Sequence, residues 1–238
     1  MKYPHVIGEW ETLQLVVNGA SIARYGDGEL KLMQGRRCVS QTADADLADE
    51  LKEIIGATNT ASIVGIPTLD KRSPKFALWD GMKAKWTPFL NHRTIYYSSF
   101  ITRPDSAPWA GTKEFFDAVE SLWKGQRVTF VGNGVRSLTP KFLMDTGADH
   151  VDWVECSYAH SYIQIDELVR QVRAKSNHRV LLCVGPTATC MAERLAKLSF
   201  HAIDLGHIGM FWRRYGDFAN WTEQREINKD TGVVEPNP

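Results

Sequence analysis

Short runs rich in Val, Ile, Tyr and Phe alternate with amphipathic stretches along almost the whole chain, and this alternation limits the possible folds more than any single motif. The runs Ser21 to Tyr25, Ala61 to Ile66, Arg93 to Ser98, Arg127 to Val131, His150 to Val154, Arg179 to Val184 and His201 to Leu205 read as strands. Between them, Asp46 to Ile55, Phe76 to Leu90, Thr112 to Trp123, Thr139 to Thr146, Tyr162 to Ala174 and Thr187 to Leu198 carry apolar residues at helical spacing. Strands that alternate with helices predict an α/β fold: a Rossmann-like, mostly parallel sheet with helices on both faces. In such a sheet, ligands bind beyond the carboxyl ends of the strands, near the point where strand order reverses. Residues 1–238 read as one domain, with the polar stretch 228–238 as a flexible tail.

The loops after the expected strands hold the residues with chemical potential. Arg24-Tyr25-Gly26-Asp27-Gly28-Glu29 places two carboxylates on either side of a glycine directly after an apolar run. Hard divalent cations take oxygen ligands, and an Mg²⁺-class site needs only one or two carboxylates when water and phosphate fill the remaining positions. A glycine between the acids lets the backbone turn so that both face one point. A structural alternative is a strand-to-helix turn in which Asp27 caps the segment Leu30 to Met33. Gly185-Pro186-Thr187 follows the apolar strand Leu181 to Val184 and opens a helix, where free N–H groups and the helix dipole attract an anion such as phosphate. Alternatively, Gly185-Pro186 makes a tight turn and Thr187 caps the helix. Gly132-Asn133-Gly134-Val135-Arg136 follows the same logic, with Arg136 able to fork onto phosphate or carboxylate. Asp204-Leu205-Gly206-His207 ends the last strand with an acid and an imidazole, suited to a metal shell or to proton transfer.

Composition removes several classes of function. Lys and Arg total 28 against 28 acids, so no net field draws the chain to nucleic acid or to an anionic membrane. Cys38, Cys156, Cys183 and Cys190 have no CxxC spacing and read as reduced thiols. No segment approaches the roughly 20 apolar residues that span a bilayer, and Met1 to Glu9 does not read as a secretory leader. These features place the protein in the cytoplasm or at the inner face of its membrane. Asp44-Ala45-Asp46 has the form of a metal-nucleotide DxD motif, yet acids at a helix start are better explained by capping. Arg213-Arg214, beside Trp212 and Tyr215, is suited either to stacking on a base or sugar or to a solvated helix face.

Taken in order, Ser21 to Glu29, then Ser99-Phe100-Ile101-Thr102-Arg103-Pro104, then Gly185-Pro186-Thr187-Ala188, and finally Ala202 to Ile208 resemble the GT-D-type glycosyltransferases, bacterial enzymes of cell-surface glycan and glycoprotein assembly with an Asp-x-Glu metal motif. The resemblance spans Ser21 to Tyr215. It implies a GT-D-type sheet that binds a UDP-sugar donor with Mn²⁺ or Mg²⁺ and passes the sugar to a hydroxyl of a glycan, lipid-linked glycan or glycoprotein acceptor. By the same resemblance, Asp27, Glu29 and His207 are the catalytic and metal residues. Arg24, Gly28, Ser99, Arg103, Arg136, Gly185 and Thr187 fall to the nucleotide sugar. The loop Gly132 to Arg136 departs from the family pattern because it lacks an acid, which bears on the acceptor more than on nucleotide or metal. Asp27, Glu155, Asp204 and His160 are the candidate bases, and Trp109, Trp153, Tyr158 and Trp212 the candidate sugar platforms. Two other functions fit the same residues: a metal-dependent phosphoesterase acting on nucleotide or sugar phosphates, and a nucleotide-binding module without turnover.

Overall fold

The computed structural model describes residues 3–92, 94–106, 113–133 and 138–209. These residues form one eight-stranded sheet, parallel throughout, in the order β1-β4-β3-β2-β8-β7-β5-β6. Its strands are β1 (Val6–Ile7), β2 (Ile22–Arg24), β3 (Ile63–Ile66), β4 (Tyr96–Ser98), β5 (Arg127–Gly132), β6 (His150–Glu155), β7 (Arg179–Cys183) and β8 (His201–Asp204). The helices are α1 (Glu9–Val17), α2 (Asp27–Met33), α3 (Ala45–Gly56), α4 (Phe76–Trp86), α5 (Lys113–Glu120), α6 (Pro140–Asp145), α7 (Ile165–Arg173) and α8 (Thr187–Lys197).

Residue alternation along each central strand separates two cores. Val180 and Leu182 of β7 and Ala202 of β8 join the core under α2, α3, α7 and α8. Leu181 and Cys183 of β7 and Ile203 of β8 join the core under α1, α5 and α6. A parallel strand buried on both faces needs apolar residues at every position, which is why β7 reads as an unbroken apolar run in the sequence. The expectation of helices on both faces is met, and the sheet is wholly parallel.

The expected elements appear with shifts at their ends, and three more are present: β1, α1 and α2, the last anticipated only as the short segment Leu30 to Met33. β1 spans only two residues, too short to give a period. In α1 the inward face includes Glu9 and Thr12, so its apolar stripe is broken. Glu9 is accommodated because its Oε1 accepts a hydrogen bond from Ser98 Oγ at 3.0 Å. At the far end of the sheet the carboxylate of buried Glu193 accepts bonds from Ala61 N, Ser62 N and Ser62 Oγ and so ties α8 to the entry of β3. Asp44 caps α3, with Oδ1 accepting from Leu47 N at 2.9 Å, as the capping explanation of Asp44-Ala45-Asp46 requires.

β2, β3 and β4 advance in one direction from the middle of the sheet, whereas β8, β7, β5 and β6 lie on the other side of β2. The order therefore reverses between β2 and β8, and the loops leaving their carboxyl ends diverge to leave a crevice.

Candidate functional site

A cleft of about 350 Å³ occupies that crevice. Its floor is the ends of β2, β7 and β8, with Arg24, Cys183 and Asp204. Residues 26–29, Gly185-Pro186 and Gly206-His207 line its walls, and Ser99, Phe100 and Arg103 enter from the turn after β4. The cleft thus gathers four loops that are far apart in sequence, including most of the residues expected there.

The acidic loop is the start of a helix. Gly26 is the N-cap of α2, and Glu29, at the third helical position, turns back so that its Oε2 accepts from Gly26 N at 2.6 Å. Asp27 leaves the helix in another direction, and its Oδ2 pairs with Lys31 Nζ at 2.6 Å. Residues two apart on a helix point about 200° from one another, so the backbone alone does not aim both acids at one point, although both side chains line the same cleft. The capping role expected of Asp27 belongs to Glu29. Among the described residues no group of three His, Cys, Asp or Glu side chains is arranged to hold a metal ion. Asp27, Glu29 and His207 therefore line one cleft without forming a ready-made three-ligand set.

Arg24 is buried, and its guanidinium is engaged inside the protein. Nε donates to Ser99 O at 2.7 Å, and Nη1 donates to Thr102 Oγ1 at 2.7 Å and Asp204 O at 3.1 Å. Thr102 Oγ1 in turn donates to Leu205 O at 2.9 Å. One cation thus clamps the loops after β2, β4 and β8 into a single floor. Asp204 accepts from Arg24 N and from Gly206 N. Burial pushes the Asp204 carboxyl up to about 6, with Arg24 pulling the other way. Burial also pushes Glu29 up to about 7; the amides of Glu29 and Gly26 oppose this, while Asp204 and Asp27 add to it.

Arg103 forks onto Asp105, Nε to Oδ1 at 2.8 Å and Nη2 to Oδ2 at 3.0 Å, and Asp105 is also paired with Lys75. These two cations hold the Asp105 carboxyl far below the usual carboxylate range despite its burial. Gly28 packs against the opposite wall, where an added Cβ would lie 3.7 Å from Pro186 Cγ. Gly185 adopts φ +60°, and an added Cβ would stand 3.0 Å from Ser40 Oγ. Pro186, not Thr187, is the N-cap of α8. Thr187 is buried and its Oγ1 has no hydrogen-bond partner, so the capping explanation for this threonine does not hold.

Several expectations change place or fall outside the description. Arg136, Trp109, Trp212, Arg213, Arg214, Tyr215 and the tail 228–238 lie outside the described residues. Trp153 sits on edge strand β6, its Nε1 donating to Gly132 O at 2.9 Å, and neither it nor Glu155 lines the cleft. His160 Nδ1 accepts from Thr42 N at 3.2 Å and holds the segment that carries Val39 and Ser40. Tyr158 does line the cleft. Sequence reasoning missed Trp79, whose ring centroid lies 5.3 Å from that of Phe100 on the wall, and the Cys38 to Ser40 loop. Both reach the cleft through tertiary packing, without a local motif.

The arrangement joins carboxylate oxygens, a helix N-terminus and an imidazole in a cleft at the switch point of a parallel sheet. It defines an α/β protein with a polar cleft at the switch point of its sheet, and the comparisons with known proteins give the family. The model of the glycosyltransferase GT-D fold matches residues 22–229, and the chain belongs to that family. It is 25% identical over 213 residues to "Glycosyltransferase GlyD" of Streptococcus pneumoniae serotype 4, covering 83% of this chain and 26% of that protein. It is 27% identical over 212 residues to "Probable glycosyl transferase Gly" of Streptococcus gordonii, covering 82% and 30%. The chain thus spans less than a third of the length of these curated relatives. Among solved structures, a glycosyltransferase (DUF1792) from Streptococcus sanguinis superposes with TM-score 0.80 at 24% identity, covering 98% of this chain and 94% of that one. A second structure, described as domain of unknown function 1792 with a distinct glycosyltransferase fold, gives 0.79 at 25% identity, covering 99% and 92%.

Proposed function

We propose that this domain is a metal-dependent glycosyltransferase that moves a sugar from a UDP-sugar to an acceptor hydroxyl of a glycan, lipid-linked glycan or glycoprotein in cell-surface assembly. The observation that carries this reading is the meeting of the acidic first turn of α2 with the start of α8 in one cleft. The donor set fits Mn²⁺ or Mg²⁺: the oxygens of Asp27 and Glu29 are hard ligands, and two carboxylates suffice where a diphosphate completes the shell. When bound, such an ion would supply charge neutralisation for a diphosphate leaving group.

The protein's own groups do the rest. The Gly185-Pro186 turn, at the positive end of the α8 dipole, borders the space for the diphosphate. Arg103, already aligned by Asp105, adds a cation at the rim. Ser99 and Gly28 bound the space left for the nucleotide sugar. Arg24 positions, because its guanidinium holds the loops from which Asp204 and His207 project. His207 on the mouth is placed to carry a proton between the acceptor hydroxyl and solvent.

Glu29→Gln is the informative substitution. The amide oxygen keeps the cap on Gly26 N while the charge is lost. UDP-sugar turnover with Mn²⁺ is expected to fall at least 100-fold with the melting temperature unchanged. Full turnover in this variant would refute the metal role of the carboxylate. Release of UMP and sugar phosphate at the same rate with and without an acceptor would instead favour the phosphoesterase function.

A further inference from the structure

A second and larger cavity lies on the same carboxyl rim of the sheet. It is an open groove of about 990 Å³ between the β1–α1 junction and the loop Thr68 to Arg72 after β3. The strand order places it next to the candidate donor cleft, because β1, β4, β3 and β2 are consecutive neighbours. The two cavities approach each other at the end of β4. Thr68 Oγ1 donates to Ser98 Oγ at 2.6 Å, Ser98 Oγ donates to Glu9 Oε1 at 3.0 Å, and the next residue, Ser99, lines the donor cleft.

The lining has a definite chemistry. Trp10, in the first turn of α1, is 39% exposed on the groove, whereas Trp79, Trp86 and Trp123 are buried. Around it stand Glu11, Asp70 and Arg72, and the Asp70 carboxylate holds the guanidinium of Arg72 through Nε at 3.1 Å and Nη2 at 2.6 Å. An aromatic face takes the C–H face of a pyranose, and fixed carboxylates and a guanidinium take its hydroxyls. Charges of both signs line the groove, with Glu9, Glu11 and Asp70 against Lys71 and Arg72, which suits a neutral polyhydroxylated chain better than a polyanion or an anionic lipid surface.

We propose that this groove binds the saccharide part of the acceptor, stacked on Trp10, so that its growing end crosses Ser98-Ser99 into the donor cleft. The proposal rests on the glycosyltransferase reading above, and its test separates the two. The fluorescently labelled full chain is applied to a printed array of neutral oligosaccharides. The strongest glycan is then titrated calorimetrically into wild type, Trp10→Ala and Trp10→Phe, with UDP plus Mn²⁺ titrated in parallel. Glycan affinity is expected to fall at least tenfold in Trp10→Ala and to be largely kept in Trp10→Phe, with UDP affinity equal in all three. Absence of glycan binding in wild type, or equal glycan affinity in Trp10→Ala, overturns the proposal. Trp10-dependent glycan binding in a chain that does not bind UDP supports the groove and removes the donor reading.

Discussion

At the scale of residues, one side chain of the cleft joins an observed structural role to a proposed chemical one. Glu29 caps α2 and is also a candidate cation ligand, so removing its charge and removing its hydrogen bond are separable changes. Glu29→Ala should lose about 1 kcal/mol of stability through the lost cap, in addition to losing turnover, whereas Glu29→Gln should lose turnover alone; urea unfolding of both variants checks the difference. His201 offers an independent test. Burial first, then the charge of Arg179, lowers its pKa from 6.5 to about 4, so the folded state holds it neutral where the unfolded chain binds a proton. Its contribution is complete above pH 6.5 and is lost as pH falls toward 4, at most about 3 kcal/mol in all. Glu29 and Asp204, with raised values, act in the opposite sense over part of this window. The stability difference between wild type and His201→Leu should therefore move against wild type between pH 7.5 and 5, and a constant difference would contradict the assignment. That both acids follow β2 and reach one cleft was legible in the sequence, but their directions were not. A glycine between two carboxylates permits a shared focus, and only the observed helical register shows that Asp27 turns to Lys31 while Glu29 turns back to Gly26.

At the scale of elements, the sequence marked the buried strands well because both faces demand apolar side chains, as in Leu181-Leu182-Cys183. It did not mark β1 or α1. The first is too short to show a period, and the second buries Glu9 and Thr12 through bonds to Ser98 Oγ and Gly8 O that no local pattern announces. The turn into α8 is the most sensitive junction. Gly185 has φ +60° and Ser40 Oγ stands where a Cβ would press. Gly185→Ala should cost about 1–2 kcal/mol from the left-handed conformation alone, and it should weaken UDP binding by displacing the first turn of α8. A melting scan and a UDP titration of this variant give both readouts, and unchanged UDP affinity would separate the turn from the diphosphate.

At the scale of the whole molecule, the site exists because of strand order. β2 and β8 are some 180 residues apart in sequence and neighbours in the sheet, joined at Ile22 and Ile203; local periodicity carries no information about that pairing. The ordered motifs after the strands still pointed to the right rim of the sheet, since a parallel sheet places every such loop at one end. Among the described residues no helix is long and apolar enough to cross a membrane, and the chain spans about a quarter to three-tenths of its curated relatives. Binding to the folded domain should be visible in its stability. UDP with Mn²⁺ at about 100 times the dissociation constant adds about 2.7 kcal/mol, a rise in melting temperature of roughly 5–10 °C for a domain of this size, and no rise should follow with UDP alone. The most direct measurement is paramagnetic broadening of backbone amide signals by Mn²⁺ in the presence of UDP. Signals of residues 26–29, Gly185, Gly206 and His207 are predicted to broaden first, and broadening confined to residues away from this cleft would contradict a cation held by the first turn of α2.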